Sequence, residues 1–222
     1  MAGFLFVAHD SEDIRPFKTL SSVYLNPLQE LLQTNNGSIY QDGSGIILLV
    51  DVKTDGTEGW LALEKLLVKY ELSGKGGVTI LVSGNRDLEA MSSTKNPAAQ
   101  YDGRLEDLKT HPDLAVISLI SAKWTDEFAW DGDDTMPVSE LRKLKKIVET
   151  AHSQERKVRF WDTDFPNSYH QMEIWKQLLH CGVDFIGTDK LEDLRNFSYS
   201  KETTSFLNRS RDSGNQGDAP RR

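Results

Sequence analysis

The chain has 222 residues, 38% of them hydrophobic and 27% charged, and a formal net charge of −8. That length buries a full core and fits one soluble domain, while the acidic balance and the lack of any Lys/Arg-rich block exclude a general nucleic-acid binder. One cysteine, Cys181, excludes an internal disulfide and a cysteine-rich metal cage. It reads as a packing residue at a helix end in "LLHCGVD". No apolar run reaches transmembrane length, and "MAGFLFVAHD" lacks the basic region that opens a signal peptide.

In chain order, "GFLFVAH" (3–9) predicts a short strand running into a polar loop. "SVYLNPLQELLQT" (22–34) carries a helical stripe of Tyr24, Leu25, Leu28, Leu31 and Leu32. The run "IILLVDV" (46–52) predicts a strand buried on both faces, and residues 58–70 an amphipathic helix with Trp60, Leu63, Leu66, Leu67 and Tyr70 on one face. "SGKGG" (73–77) reads as a turn that ends this helix. Further strands are expected at 78–85, at 100–104 and at 114–120. Pro137 opens a long helix to about His152, with Val138, Leu141, Leu144, Ile147 and Val148 facing inward. A strand at 157–163, a helix at 168–180, a strand at 183–189 and a short helix at 190–196 complete the series. From about Thr203 periodicity is lost, which predicts a disordered tail over 203–222 after a folded domain at 1–202.

Strands alternating with helices predict an α/β fold with a parallel sheet. Leaving out 3–9, six strands are counted; doubly wound sheets often have five or six, whereas a closed (β/α)8 barrel needs eight. No Gly-x-Gly-x-x-Gly follows the first strand and no phosphate-binding Gly-Lys-Ser/Thr loop occurs, so a nucleotide site has no sequence support.

Polar residues stand at nearly every strand end. Asp51 and Lys53 lie two apart and therefore on the same side of their strand. The pair is either a structural ion bridge or part of a site at the C-terminal edge of the sheet. His9 follows a strand and precedes Asp10, which suits a general acid or base. Asn85, Asp102, Trp161, Asp162, Asp164 and Asp189 occupy the other ends. Asp102, Asp162 and Asp189 taken singly are equally the residues that start turns and cap helices. His111, His152, His170 and His180 read as surface or packing residues.

The segments "GFLFVAHD", "VYLNPLQELL", "IILLVDVKTDG", "VTILVSGN", "KVRFWDT" and "GVDFIGTDKLEDL", in this order, resemble the phospholipase C-like phosphodiesterase superfamily. Within it the likeness is to the altered inheritance of mitochondria protein 6 family, with glycerophosphodiester phosphodiesterases and sphingomyelinase D enzymes more distant. "YLNPL" with "LLVDVKTDG" and "RFWDT" is the specific combination. The resemblance implies a (β/α)8 TIM barrel that cleaves phosphodiesters with a pair of histidines and a divalent cation, Mg²⁺ or Ca²⁺. Carried over, it implies that His9 is the second catalytic histidine and Asp51 a metal carboxylate. Lys53 would stabilise phosphate charge, and Trp161 would be the aromatic at the seventh strand's end. Asn85 and Asp189 would face a small phosphodiester or lipid head-group substrate.

In that family a strand ending in His-Asn or His-Arg and another carrying Glu-x-Asp precede the "GFLFVAHD" segment. Here Met1-Ala2 leads directly into it, so the resemblance implies a barrel lacking about its first two strands, with one histidine and one carboxylate at the site. Two function classes follow. One is a metal-dependent phosphoric diester hydrolase, inactive as this 222-residue chain. The other is a non-catalytic relative that binds a phosphate-bearing ligand or a partner protein.

Overall fold

The structure, a computed structural model, describes residues 4–72 and 76–199. The expected tail at 203–222, and Ser73, Gly74 and Lys75 of the Gly-rich turn, lie outside the described residues. The chain divides into two compact units, Met1–Asp102 with Asp113–Ser118, and Gly103–Pro112 with Leu119–Arg222.

In the first unit, a π-helical turn at Ser21–Leu25 runs into α1 (Asn26–Thr34). Strand β1 (Ile46–Val52) leads through α2 (Gly56–Leu67) to β2 (Val78–Gly84), then through α3 (Leu88–Ser92) to β3 (Gln100–Gly103). β1 and β2 pair in parallel from Ile46↔Val78 to Val52↔Gly84, and β2 pairs in parallel with β3 at Leu81↔Gln100 and Val82↔Tyr101. The connection is a βαβ unit, as alternating apolar strands and an amphipathic helix dictate. Asp55 starts α2 by accepting from Glu58 N–H at 2.9 Å, the bond an N-cap supplies. Trp60, Leu63 and Leu67 of α2 are buried, spaced three and four apart on one face. Gly59 lets that face come close: a Cβ there would lie 2.6 Å from Val52 Cγ1. Trp60 meets Tyr101 edge-on at 5.6 Å and donates its indole N–H to Thr94 Oγ1 at 3.0 Å.

The second unit repeats the pattern. It holds α4 (Asp107–Thr110), β4 (Leu119–Lys123), α5 (Trp124–Glu127), α6 (Val138–Ser153), β5 (Lys157–Trp161), α7 (Ser168–His180), β6 (Phe185–Ile186) and α8 (Leu191–Ser198). β4 pairs in parallel with β5 from Leu119↔Lys157 to Lys123↔Trp161, and β5 with β6 at Arg159↔Phe185 and Phe160↔Ile186. The core beneath is aromatic. Trp124 stacks tilted on Phe128 at 4.4 Å and meets Phe160 edge-on at 5.8 Å, and its N–H donates to Trp130 O at 3.1 Å. Leu144, Val148 and Ala151 of α6 are buried, as are Ile174, Trp175 and Leu178 of α7.

Among the described residues the α/β class and the six strands match the sequence count, and neither unit taken by itself closes into a (β/α)8 barrel. Four local expectations are corrected. Residues 3–9 form no strand in their described part: the segment makes one antiparallel bridge, Phe6↔Thr19, because the polar run from His9 to Asp13 turns the chain away. β1 is half-buried along Ile46–Val50 rather than covered on both faces, since among the described residues it has a strand neighbour on one side only. The apolar run 114–120 becomes a strand only from Leu119, because Asp113 turns its first half. The Asp113 carbonyl accepts from Val116 and Ile117 N–H at 2.9 Å each, and its carboxylate from Ala115 N–H at 2.8 Å. Val138 is 63% exposed, at the first turn of α6, where the inward stripe has not yet begun.

Cys181 follows α7 and packs as expected: burial pushes its thiol up to about 11. Two outcomes follow from this packing. Trp60→Ala removes a wholly buried indole and should cost about 3–5 kcal/mol in urea unfolding; a loss under ~1 kcal/mol would show that α2 does not hold the first unit's core. Cys181, with so little thiolate at neutral pH, should be alkylated by iodoacetamide in the native chain far more slowly than after unfolding, which mass spectrometry resolves.

Candidate ligand site at the strand ends

β1 ends by placing Asp51 and Lys53 on one side and Val52 on the other, against Gly59. Lys53 Nζ lies 2.6 Å from Asp51 Oδ2, and the two side chains are 55% and 50% exposed. The pair is therefore open to solvent. Such a pair contributes little to stability, so its consequence is positional: it fixes a cation at a strand end. The Asp51 hydrogen bond first, and then its charge, hold the Lys53 ammonium above its ordinary 10.5, and the charge of Asp10 adds in the same direction. Lys53 is thus a permanent cation at neutral pH.

The surroundings are built around the pair. Asp51 faces Gly84, whose φ is +76° and where a Cβ would lie 2.1 Å from Asp51 Oδ1. Only glycine accepts both that backbone and that approach. Asn85 holds the loop after β1: its backbone N–H donates to Val52 O at 2.8 Å, and its amide donates to Thr54 O at 2.9 Å and Lys53 O at 3.3 Å. Ser83 is the register partner of Asp51 and donates to the buried Asp102 carboxylate at 3.1 Å. His9 and Asp10 form a local pair, Nδ1 to Oδ2 at 3.0 Å, with 86% and 71% of their side chains exposed. The first unit thus contains His9, Asp51, Lys53 and Asn85 from the sequence expectation.

The second unit contains Trp161 and Asp189. Trp161 ends β5 with 40% of its surface exposed. Its register partner Lys123 ends β4, with Nζ 5.9 Å from the indole centroid, 3.7 Å from Asp162 and 3.6 Å from Asp126. Thr125 donates to Asp162 at 2.5 Å, and Asp162 adopts φ +59°, a left-handed turn that aspartate tolerates. Asp189 is exposed, and its backbone N–H donates to Asp164 Oδ2 at 2.7 Å. Asp164 also accepts from Thr188 Oγ1, so it ties two loops together.

Lys123 and Ser83 escaped sequence reading. Lys123 was hidden because β4 begins five residues later than the apolar run suggests; the polar "SAK" after "VISLI" was the available signal. Two of the other histidines lie beside carboxylates. His152 pairs with Asp184 at 2.9 Å, and that carboxylate also accepts from Val158 N–H at 2.8 Å near the start of β5. His170 lies between Asp131 and Asp133 at 3.8 and 3.6 Å.

A divalent cation takes several oxygen ligands. Among the described residues no three His, Cys, Asp or Glu side chains are grouped to hold one, and Asp51 offers a single carboxylate already engaged with Lys53. These residues by themselves do not fit a Mg²⁺ or Ca²⁺ cage.

The Lys53 environment has a direct readout. In a ¹³C titration of lysine side chains, Lys53 should titrate above 10.5 and fall back toward that value in Asp51→Asn. An unshifted Lys53 in the parent chain would remove the ion pair from solution.

No family model matches the chain. It is 24% identical over 220 residues to an altered inheritance of mitochondria protein 6 homolog from Arthroderma benhamiae, covering 87% of this chain and 70% of that protein. It is 25% identical over 237 residues to altered inheritance of mitochondria protein 6 from Candida glabrata, covering 85% of this chain and 57% of that one. A crystal structure of a glycerophosphoryl diester phosphodiesterase from Parabacteroides distasonis aligns with a TM-score of 0.47 at 14% identity, over 81% of this chain and 59% of the other. Among the described residues no helix is long and apolar enough to cross a membrane. The chain is similar in sequence to the altered inheritance of mitochondria protein 6 proteins, the family that its sequence segments resemble.

Proposed function

We propose that the chain handles a phosphodiester at the C-terminal end of β1, as a phosphoric diester hydrolase of the phospholipase C-like type acting on a glycerophosphodiester or phospholipid-derived substrate. The observation that carries this reading is the Lys53 ammonium fixed 2.6 Å from Asp51 at a parallel-strand end, half exposed to an incoming ligand. A phosphodiester brings one negative charge, and more charge builds on its non-bridging oxygens as a nucleophile approaches phosphorus. A cation held in place beforehand favours that state without reorganising. Asp51 sets the position of the ammonium, and Asn85 sets the loop that carries it. His9, with Nδ1–H donating to Asp10, presents the Nε2 lone pair for proton transfer. Asn85, in the same unit, is proposed to contact the rest of the substrate; Trp161 and Asp189, in the second unit, keep only the roles that the sequence resemblance implies.

A second reading, phosphate-ligand binding without turnover, is favoured by one observation: Asp51 Oδ2 is occupied by Lys53. One experiment serves both. Binding and hydrolysis of glycerophosphocholine are measured with and without Mg²⁺ or Ca²⁺, in the parent chain and in Lys53→Met and His9→Ala. Lys53→Met should weaken binding by about tenfold or more, since a charged hydrogen bond is lost. Turnover that falls in His9→Ala supports the hydrolase; binding with no turnover supports the second reading. Binding unaffected by Lys53→Met would remove the phosphate site from this strand end.

A further inference from the structure

The segment ahead of α1 presents an apolar tip that the phosphodiester reading does not use. Residues 8–18 leave the first unit as a loop tied at its base, where Val7 N–H donates to Lys18 O at 2.9 Å and Leu20 N–H to Leu5 O at 2.8 Å. A 3-10 turn at Ser11–Asp13 forms the incoming limb. The tip is a β-turn closed by Lys18 N–H donating to Arg15 O at 3.0 Å, with Pro16 at its second position, where a fixed φ suits the turn. Arg15 Nη1 donates to Glu12 O at 2.9 Å and Ile14 O at 3.0 Å, and Ser22 Oγ donates to Phe17 O at 2.7 Å. This well-tied turn nevertheless holds Phe17 74% exposed and Ile14 44% exposed. Two cations, Arg15 and Lys18, alternate with the two apolar residues, and both are exposed. Phe4, at the loop's base, is 66% exposed as well.

We propose that this turn docks the chain on a phospholipid surface. Phe17 and Ile14 enter the boundary between headgroups and acyl chains, while Arg15 and Lys18 meet lipid phosphates. Alternating apolar and cationic side chains on one rigid turn match that boundary, because long cationic side chains reach outward to phosphate while apolar neighbours sink. A protein partner fits less well. A stable protein interface buries about 800 Å² per partner, far more than one aromatic and one aliphatic side chain at a turn provide. The acidic residues Asp10, Glu12 and Asp13 sit on the incoming limb and not at the tip. The chain's net charge of −8 opposes a strongly anionic surface at long range, so the contact depends on the apolar pair and on phosphates of zwitterionic lipid.

The test is co-sedimentation of the 222-residue chain with phosphatidylcholine vesicles, and with vesicles of equal parts phosphatidylcholine and phosphatidylserine. The parent chain should sediment with both. Phe17→Ser and Ile14→Ser should each weaken binding about tenfold, the loss expected when one apolar side chain no longer leaves water. Their thermal melts should match the parent, because both side chains are exposed in the free chain. The double variant Arg15→Glu, Lys18→Glu should lose more on the phosphatidylserine-containing vesicles than on phosphatidylcholine alone. No sedimentation with either vesicle would overturn the proposal, as would a Phe17→Ser variant that binds like the parent. Concentration-dependent self-association abolished by Phe17→Ser, without vesicle binding, would overturn it too and assign the turn to a second copy. The inference stands on the loop alone; vesicle binding is read without turnover, so its failure and that of the phosphodiester reading are separate results.

Discussion

The parallel pairing of Ile46–Val52 with Val78–Gly84 is the constraint on which the first unit depends. Side chains alternate along a strand, so one register puts Val52 beneath α2 and turns Asp51 and Lys53 to the other side. A slip of one residue would exchange them, pressing a carboxylate toward the helix and turning Val52 out. The register is locked from two directions. Gly59 leaves room for Val52 and for no larger neighbour of its own, and Gly84 opposite Val52 accepts the turned Asp51 carboxylate. Asn85 then continues the pairing past the strand end by donating to Val52 O.

Polar residues at strand ends serve two different purposes here, and hydrogen-bond partners tell them apart. Asp55, Asp87 and Asn167 accept from backbone N–H groups at helix starts. Asp164 accepts from a loop N–H and a threonine, and Asn85 donates its amide to two loop carbonyls. These groups answer the need of backbone donors and acceptors that no ladder satisfies. Asp51 instead pairs with Lys53, His9 with Asp10, and Trp161 with Lys123. They are exposed, and their chemistry is directed outward.

That distinction also frames the electrostatics. Lys53 has one carboxylate beside it and a second, Asp10, at longer range, so its cation is held firmly but not neutralised from all sides. Lys123 lies between Asp162 and Asp126 and against an indole ring, and the carboxylates there outnumber the ammonium. Water screens both clusters, so neither adds much to stability. Both clusters are open to solvent, and it is the first unit's cluster on which the proposed phosphate site rests.

Sequence alone determined the elements whose signal is local. β1 and α7 match their expected bounds, because an unbroken apolar run and an N-capping Asn167 leave few alternatives. The same logic placed Asp51 beside Lys53, since a two-residue spacing on any strand puts both on one side. Tertiary structure decided what depends on neighbours distant in the chain. Half-burial of β1 follows from which strands lie beside it, and no periodicity records that. The late start of β4 follows from Asp113 winning three local hydrogen bonds, which a run of apolar residues conceals. Lys123 reached the end of β4 only through that shift. The pairing of Asp51 with Lys53 in solvent, rather than in the core, was likewise a matter of packing: composition names the charges, but only the assembled chain decides how much water stays with them.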